Sequence, residues 1–90
     1  MNELDLLRQK INQLDAELIN LLSLRSNISQ EVAEYKAKNG LPIYQPQREE
    51  ELFSRIRTMA AEKGLDPDYI ESIFRLIIEN SKKLQLKTIA

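Results

Sequence analysis

Neither cysteine nor histidine occurs among the 90 residues. Their absence excludes disulfides, zinc sites built on thiolate or imidazole, thiol nucleophiles and any triad that uses histidine. An excess of charge of either sign is missing as well: Lys+Arg number 13 against Asp+Glu 14, a net charge of -1. That balance argues against a nucleic-acid partner held by phosphate attraction. Long hydrophobic runs are also lacking, since stretches such as Leu76-Ile77-Ile78 fall far short of the roughly 20 apolar residues that span a bilayer. Glu3 and Asp5 stand where a secretory leader would carry positive charge. The expectation is a cytoplasmic chain with no membrane segment, no metal and no nucleic-acid partner.

Scarcity of helix breakers, of valine and of threonine points to an all-α fold. Glycine occurs twice and proline three times, Val32 is the single valine, and the apolar set is otherwise mostly leucine and isoleucine. The breakers cluster at Asn39-Gly40-Leu41-Pro42 with Pro46, and at Gly64-Leu65-Asp66-Pro67, which predicts three helices. The first runs from an Asn2 cap, with Asp5 three residues on, to the stop signal Asn39-Gly40. The second starts around Pro46 and ends at Lys63-Gly64. The third has Asp66 as cap and Pro67 at its first position, and reaches about Gln85, with a frayed tail over 86–90. Without a repeat, low-complexity tract or linker, residues 1–90 read as one domain.

The first helix is too long for such a domain. Some 38 residues at 1.5 Å each give about 57 Å, against a radius of gyration of about 12 Å for a compact chain of this size. A monomer would be marginal, and the helix predicts a second copy of the chain. Its apolar residues recur in fours and threes as Leu7, Ile11, Leu14, Leu18, Leu21, Ile28, Val32 and Tyr35. The vacant position holds Arg25. Taken alone, Arg25 reads equally well as a polar register-setter that snorkels outward or as an anion site in the core.

Other polar residues fall on the same inward faces. The third-helix stripe Ile70, Ile73, Phe74, Ile77, Ile78 continues into Ser81, Leu84 and Gln85, so Ser81 and Gln85 present a hydroxyl and an amide side by side. Lys36 follows Arg25 by eleven residues, three turns, and projects from the same side about 16 Å along. Arg8 lies at the edge of the stripe, 17 residues or roughly 25 Å before Arg25. In an antiparallel dimer of long helices, Arg8 would reach its partner's site. In the second helix Glu50 and Glu51 read as acids favoured by the helix dipole, whereas Arg48 and Glu49 flank the inward face of Leu52. Buried, unpaired charge costs several kcal/mol, roughly 3–5 when a pair is broken, and a polyanionic ligand would offset it.

Taken in order, these residues resemble the all-α chorismate mutases, intertwined homodimers of three-helix chains that convert chorismate to prephenate. The resemblance rests on Leu7-Arg8-Gln9-Lys10-Ile11 with Leu14-Asp15, on Leu24-Arg25 with Lys36, on Pro46-Gln47-Arg48-Glu49, and on Ile77-Ile78-Glu79-Asn80-Ser81 with Gln85. It implies that Arg25 and, from the other chain, Arg8 bind the substrate carboxylates, and that Lys36 and Gln85 donate to the ether oxygen. It further implies Arg48 as another active-site arginine, Glu49 as acceptor for the ring hydroxyl and Ser81 as a hydroxyl donor near a carboxylate. Gln45 departs from the pattern, standing before Pro46 where an Asp is common; that residue would cap the second helix and help place the hydroxyl end of the substrate. Glutamine is a poor cap.

The implied reaction suits the side chains present. It is a one-step pericyclic rearrangement that needs no cofactor, metal, covalent intermediate or proton transfer. Two relatives on the same fold are rivals: an isochorismate pyruvate-lyase, against which Glu49 argues because that branch lacks the acid there, and a mutase for aminodeoxychorismate. A non-catalytic helical dimerisation module would keep the leucine stripe without needing Arg25, Lys36 and Gln85 on it.

Overall fold

Helices occupy the chain where the breakers leave room for them. In the computed structural model, which describes residues 2–89, α1 spans Glu3–Lys38, α2 Pro46–Glu62 and α3 Pro67–Ile89. Asn2 caps α1, its side-chain oxygen accepting from the Asp5 backbone N–H at 2.8 Å. Gly40 ends the helix with φ 64°, a conformation that only glycine adopts without strain, and Gly64 does the same after α2 with φ 72°. Asp66 caps α3 by accepting from the Asp68 N–H at 2.9 Å. The frayed tail expected after Gln85 is corrected by the structure: α3 continues to Ile89, because no breaker follows Gln85 and Thr88 Oγ1 donates back to the Leu84 carbonyl at 2.9 Å. Ala90 lies outside the described residues.

The start of α2 shows the consequence of Gln45. Its backbone takes the extended cap conformation, yet its side chain makes no capping hydrogen bond. Gln45→Asp is therefore expected to stabilise the fold by about 1 kcal/mol, the usual worth of a cap, read as a raised denaturant midpoint at unchanged m-value. An unmoved midpoint would mean that Pro46 alone defines the start of the helix.

Packing concentrates at one end of the molecule. The second half of α1 lies alongside the second half of α3, and side-chain bonds joining 25 to 81 and 36 to 85 show the two running in the same direction. α2 packs antiparallel along α3, from Asp68 to Lys82. Arg57 pairs there with Asp68 at 2.9 Å and Glu71 at 3.2 Å, and Arg75 stacks 4.4 Å from the centre of the Phe53 ring. Glu71 also receives Arg75, one turn further on, at 2.8 Å. Buried Leu52, Ile56 and Ala60 of α2 and Ala33 of α1 are the apolar core. Three polar residues, Ser29, Ser81 and Gln85, are buried with them.

The first half of α1 projects away from this core. Residues 3–21 are exposed throughout, and the stripe leucines and isoleucine at 7, 11, 14 and 18 are 48–58% exposed. The chain is accordingly elongated, 57 Å in its longest dimension with a radius of gyration of 16.6 Å. Even beside α3, Ile28, Val32 and Tyr35 keep 40–63% of their surface in water, so the stripe continues as one uncovered seam along α1.

Candidate active site where the three helices meet

The buried polar residues surround a cavity of about 350 Å³ enclosed by the second half of α1, the start of α2 and the end of α3. Arg25 reaches it from α1 and its Nη1 donates to Ser81 Oγ on α3 at 2.9 Å. Three turns further on, Lys36 Nζ donates to the Ile43 carbonyl at 3.0 Å and to Gln85 Oε1 at 3.3 Å. Gln85 is oriented by this pair of neighbours: an ammonium has only donors to offer, so the amide oxygen faces Lys36 while Nε2 donates to Ser29 Oγ at 3.1 Å. The second amide hydrogen has no partner among the described residues. Ile28, Val32, Ile43, Leu52 and Ile78 complete the walls with apolar surface.

Gln45, Arg48 and Glu49 line the side of the cavity formed by α2. Glu49 Oε2 pairs with Lys82 Nζ at 2.9 Å, and the same ammonium lies 4.6 Å from the centre of the Tyr44 ring. Among the described residues the cavity thus carries four cations, Arg25, Lys36, Arg48 and Lys82, against one carboxylate. Among the described residues no carboxylate forms an ion pair with Arg25, Lys36 or Arg48. Burial and neighbouring charge act on the protonation of these groups. Burial, reinforced by the positive charge of Arg48, lowers the Arg25 pKa from its ordinary value. Burial also lowers that of Lys36, against which the charge of Glu49 works in the opposite direction. In both, withdrawal from solvent is the leading cause.

Seven of the residues singled out from sequence, Arg25, Lys36, Gln45, Arg48, Glu49, Ser81 and Gln85, line this one cavity. Arg8 does not: it is exposed on the projecting half of α1. Four contributors had not been singled out. Ser29 lies four residues after Arg25 and seven before Lys36, a spacing that places it on the same face. Lys82 follows Ile78 by four and so borders the inward stripe of α3. The Ile43 carbonyl and the Tyr44 ring belong to the α1–α2 connection, where no periodicity exists to point at them. Among the described residues, no group of three or more acidic side chains is placed to hold a metal ion, and no helix is long and apolar enough to cross a membrane.

Known proteins are similar to the chain over most of its length. The chain is 35% identical over 79 residues to the chorismate mutase of Methanocaldococcus jannaschii, a match covering 88% of this chain and 80% of that protein. It is 39% identical over 79 residues to the T-protein of Enterobacter agglomerans, covering 88% of this chain but 21% of the relative. The bifunctional chorismate mutase/prephenate dehydratase of Buchnera aphidicola is 39% identical over 88 residues, 98% of this chain and 24% of its own length. The chain therefore matches most of the first protein and only a fifth to a quarter of the two longer ones. The sequence pattern of the family described as chorismate mutase type II matches residues 7–86. A match over that length takes in all three helices and every side chain of the cavity, and the chain belongs to the type II chorismate mutase family.

Proposed function

We propose that the chain catalyses the rearrangement of chorismate to prephenate, a step of aromatic amino-acid biosynthesis, in the cavity between its three helices. The observation that carries this reading is the set of three cations, Arg25, Lys36 and Arg48, lining one cavity without an ion-pair partner. Such a site is built for a dicarboxylate. Arg25, with Ser81 as its hydroxyl neighbour, grips one carboxylate through its planar fork, and Arg48 stands at the other side of the cavity. Held at both ends, the enolpyruvyl arm lies over the ring in the reactive conformer.

As the C–O bond breaks and the new C–C bond forms, negative charge grows on the ether oxygen. Lys36 and the free amide hydrogen of Gln85, adjacent in space, are its donors. Loss of one well-aimed donor costs about 2.7–4 kcal/mol, and a 10⁶-fold acceleration requires about 8 kcal/mol. Two donors and conformer selection together are sufficient. Glu49 accepts from the ring hydroxyl, with Gln45 beside it.

The uncovered seam of α1 supports an intertwined homodimer in which Arg8 of one chain completes the site of the other. Most helix stability in proteins comes from packing of the apolar face, which the 19 projecting residues 3–21 lack, and stacking two such seams removes them from solvent together. Dissociation and unfolding are then one event, and the melting temperature is expected to rise with protein concentration. A well-folded monomer in light scattering at micromolar concentration would overturn the dimer and the shared site.

The activity itself is tested by incubating the pure protein with chorismate and following the loss of its absorbance. Isochorismate is offered in parallel. Prephenate from chorismate and no pyruvate from isochorismate is the expected outcome; pyruvate release would assign the site to the lyase branch.

A further inference from the structure

Among the described residues Lys82 is the one cation of the cavity that is already in an ion pair. It follows Ser81 on α3, and its ammonium bridges to α2 through Glu49 Oε2 at 2.9 Å and to the α1–α2 connection through the Tyr44 ring at 4.6 Å. An exposed lysine–carboxylate pair has little hold on its partner, but here both side chains are largely sheltered, 34% and 23% exposed, and the ring beneath the ammonium limits the positions it can take.

The pairing changes what this end of the cavity can accept. Among the described residues Glu49 is the only carboxylate in the lining, hence the group there able to balance a positive charge on a ligand. Lys82 takes one of its two oxygens and neutralises it, while Gln45 beside it brings no charge. The other carboxylate oxygen can still accept a hydrogen bond from a neutral donor such as a hydroxyl. An ammonium in the same place would meet a carboxylate whose charge is already spent and would lie next to the ammonium of Lys82, a like-charge contact within a partly desolvated site.

We propose that Lys82 is a specificity-determining residue: by pairing with Glu49 it sets the site for a dicarboxylate bearing a neutral hydroxyl, and against the analogue bearing an ammonium at the same ring position. The inference rests on the proposed activity and deepens it, since it says how the site chooses between chorismate and its 4-amino analogue. An uncharged side chain at position 82 would free Glu49 to balance an ammonium. A positively charged one would not.

The parent chain and its Lys82→Met and Lys82→Arg variants are compared at pH 7, where the primary amine is protonated. Chorismate and 4-amino-4-deoxychorismate are each scored by kcat/KM, and the amine also as a competitive inhibitor of chorismate turnover. The parent is expected to favour chorismate; Lys82→Met shifts the ratio about tenfold toward the amine, a modest fraction of an unscreened like-charge contact, and Lys82→Arg leaves it near the parent. Tyr44→Leu, which removes the ring under the ammonium without touching α3, shifts the ratio in the same direction by less, and it carries the test if Lys82→Met does not fold. A parent active on chorismate with the ratio and the inhibition unmoved in these variants overturns the role of Lys82 alone. A parent that turns over neither compound overturns the proposed activity, and the assignment of Lys82 with it.

Discussion

Arg8→Ala and Lys36→Ala are each expected to be nearly inactive as homodimers, and refolding the two together is expected to restore about a quarter of the parent activity. The expectation follows from where Arg8 lies. It projects from the exposed half of α1, 17 residues or roughly 25 Å along the helix from Arg25, and cannot bend back to its own cavity because the helix between is continuous. In an antiparallel pair the two ends exchange places, so each pocket takes Lys36 from one chain and Arg8 from the other. A mixed dimer then has one pocket with neither lesion and one with both. Random refolding makes half of the dimers mixed, and one pocket of two in each is intact, giving about a quarter of all sites by the two-fold symmetry of such an interface. Each single lesion removes one charged donor, a loss of about 10²–10³ in rate, so the recovery stands far above the background. No recovery in purified mixed dimers would place every residue of a site in a single chain.

The outline of this arrangement is legible in sequence because its signals are local. Helix boundaries followed from Asn39-Gly40, Pro46 and Gly64 to Pro67, and they agree with the structure to within a residue or two everywhere except the end of α3. There, the absence of a breaker after Gln85 outweighed the usual weakness of a chain terminus. Arg25, Ser81 and Gln85 were detectable as polar members of apolar stripes, and the structure buries Ser81 and Gln85 and brings Arg25 against Ser81. Pairings across elements were another matter. Nothing in the spacing of α1 and α3 says that their second halves run parallel, and without that register Ser29 has no visible reason to face Gln85. Lys82 and Glu49 are 33 residues apart and on different helices, each beside other charges. The spacing of Lys82 from Ile78 puts it at the border of the inward stripe, but its partner Glu49 is visible only once α2 is folded against it.

Gln85→Glu is expected to be inactive at neutral pH, by about 10²-fold or more, and to regain activity as the pH falls. The parent amide is pinned by what surrounds it: Lys36 occupies its oxygen and Ser29 one of its two N–H groups. The remaining hydrogen is the one available to the ether oxygen of the substrate. A carboxyl at this position keeps the length and shape, but ionised it has no hydrogen to give and sets a negative charge against the oxygen that is gaining one. Protonated, it donates again. Burial of the position would raise the pKa of the new carboxyl above the ordinary glutamate value of about 4.3, while the Lys36 ammonium would lower it. The direction of the activity profile does not depend on that balance, because the donor exists only in the protonated form. The parent has no such requirement: its amide does not titrate, and Lys36, whose pKa is lowered by burial, loses its proton on the alkaline side. Activity of the parent should therefore decline as pH rises through a region below the ordinary lysine range and change less in acid, while the variant climbs steadily toward acid. Profiles of kcat/KM measured between about pH 4.5 and 8 separate the two. Parallel profiles, with the variant as active as the parent at neutral pH, would remove Gln85 from the transition state and leave it as a buried amide whose hydrogen bonds to Lys36 and Ser29 hold α3 against α1.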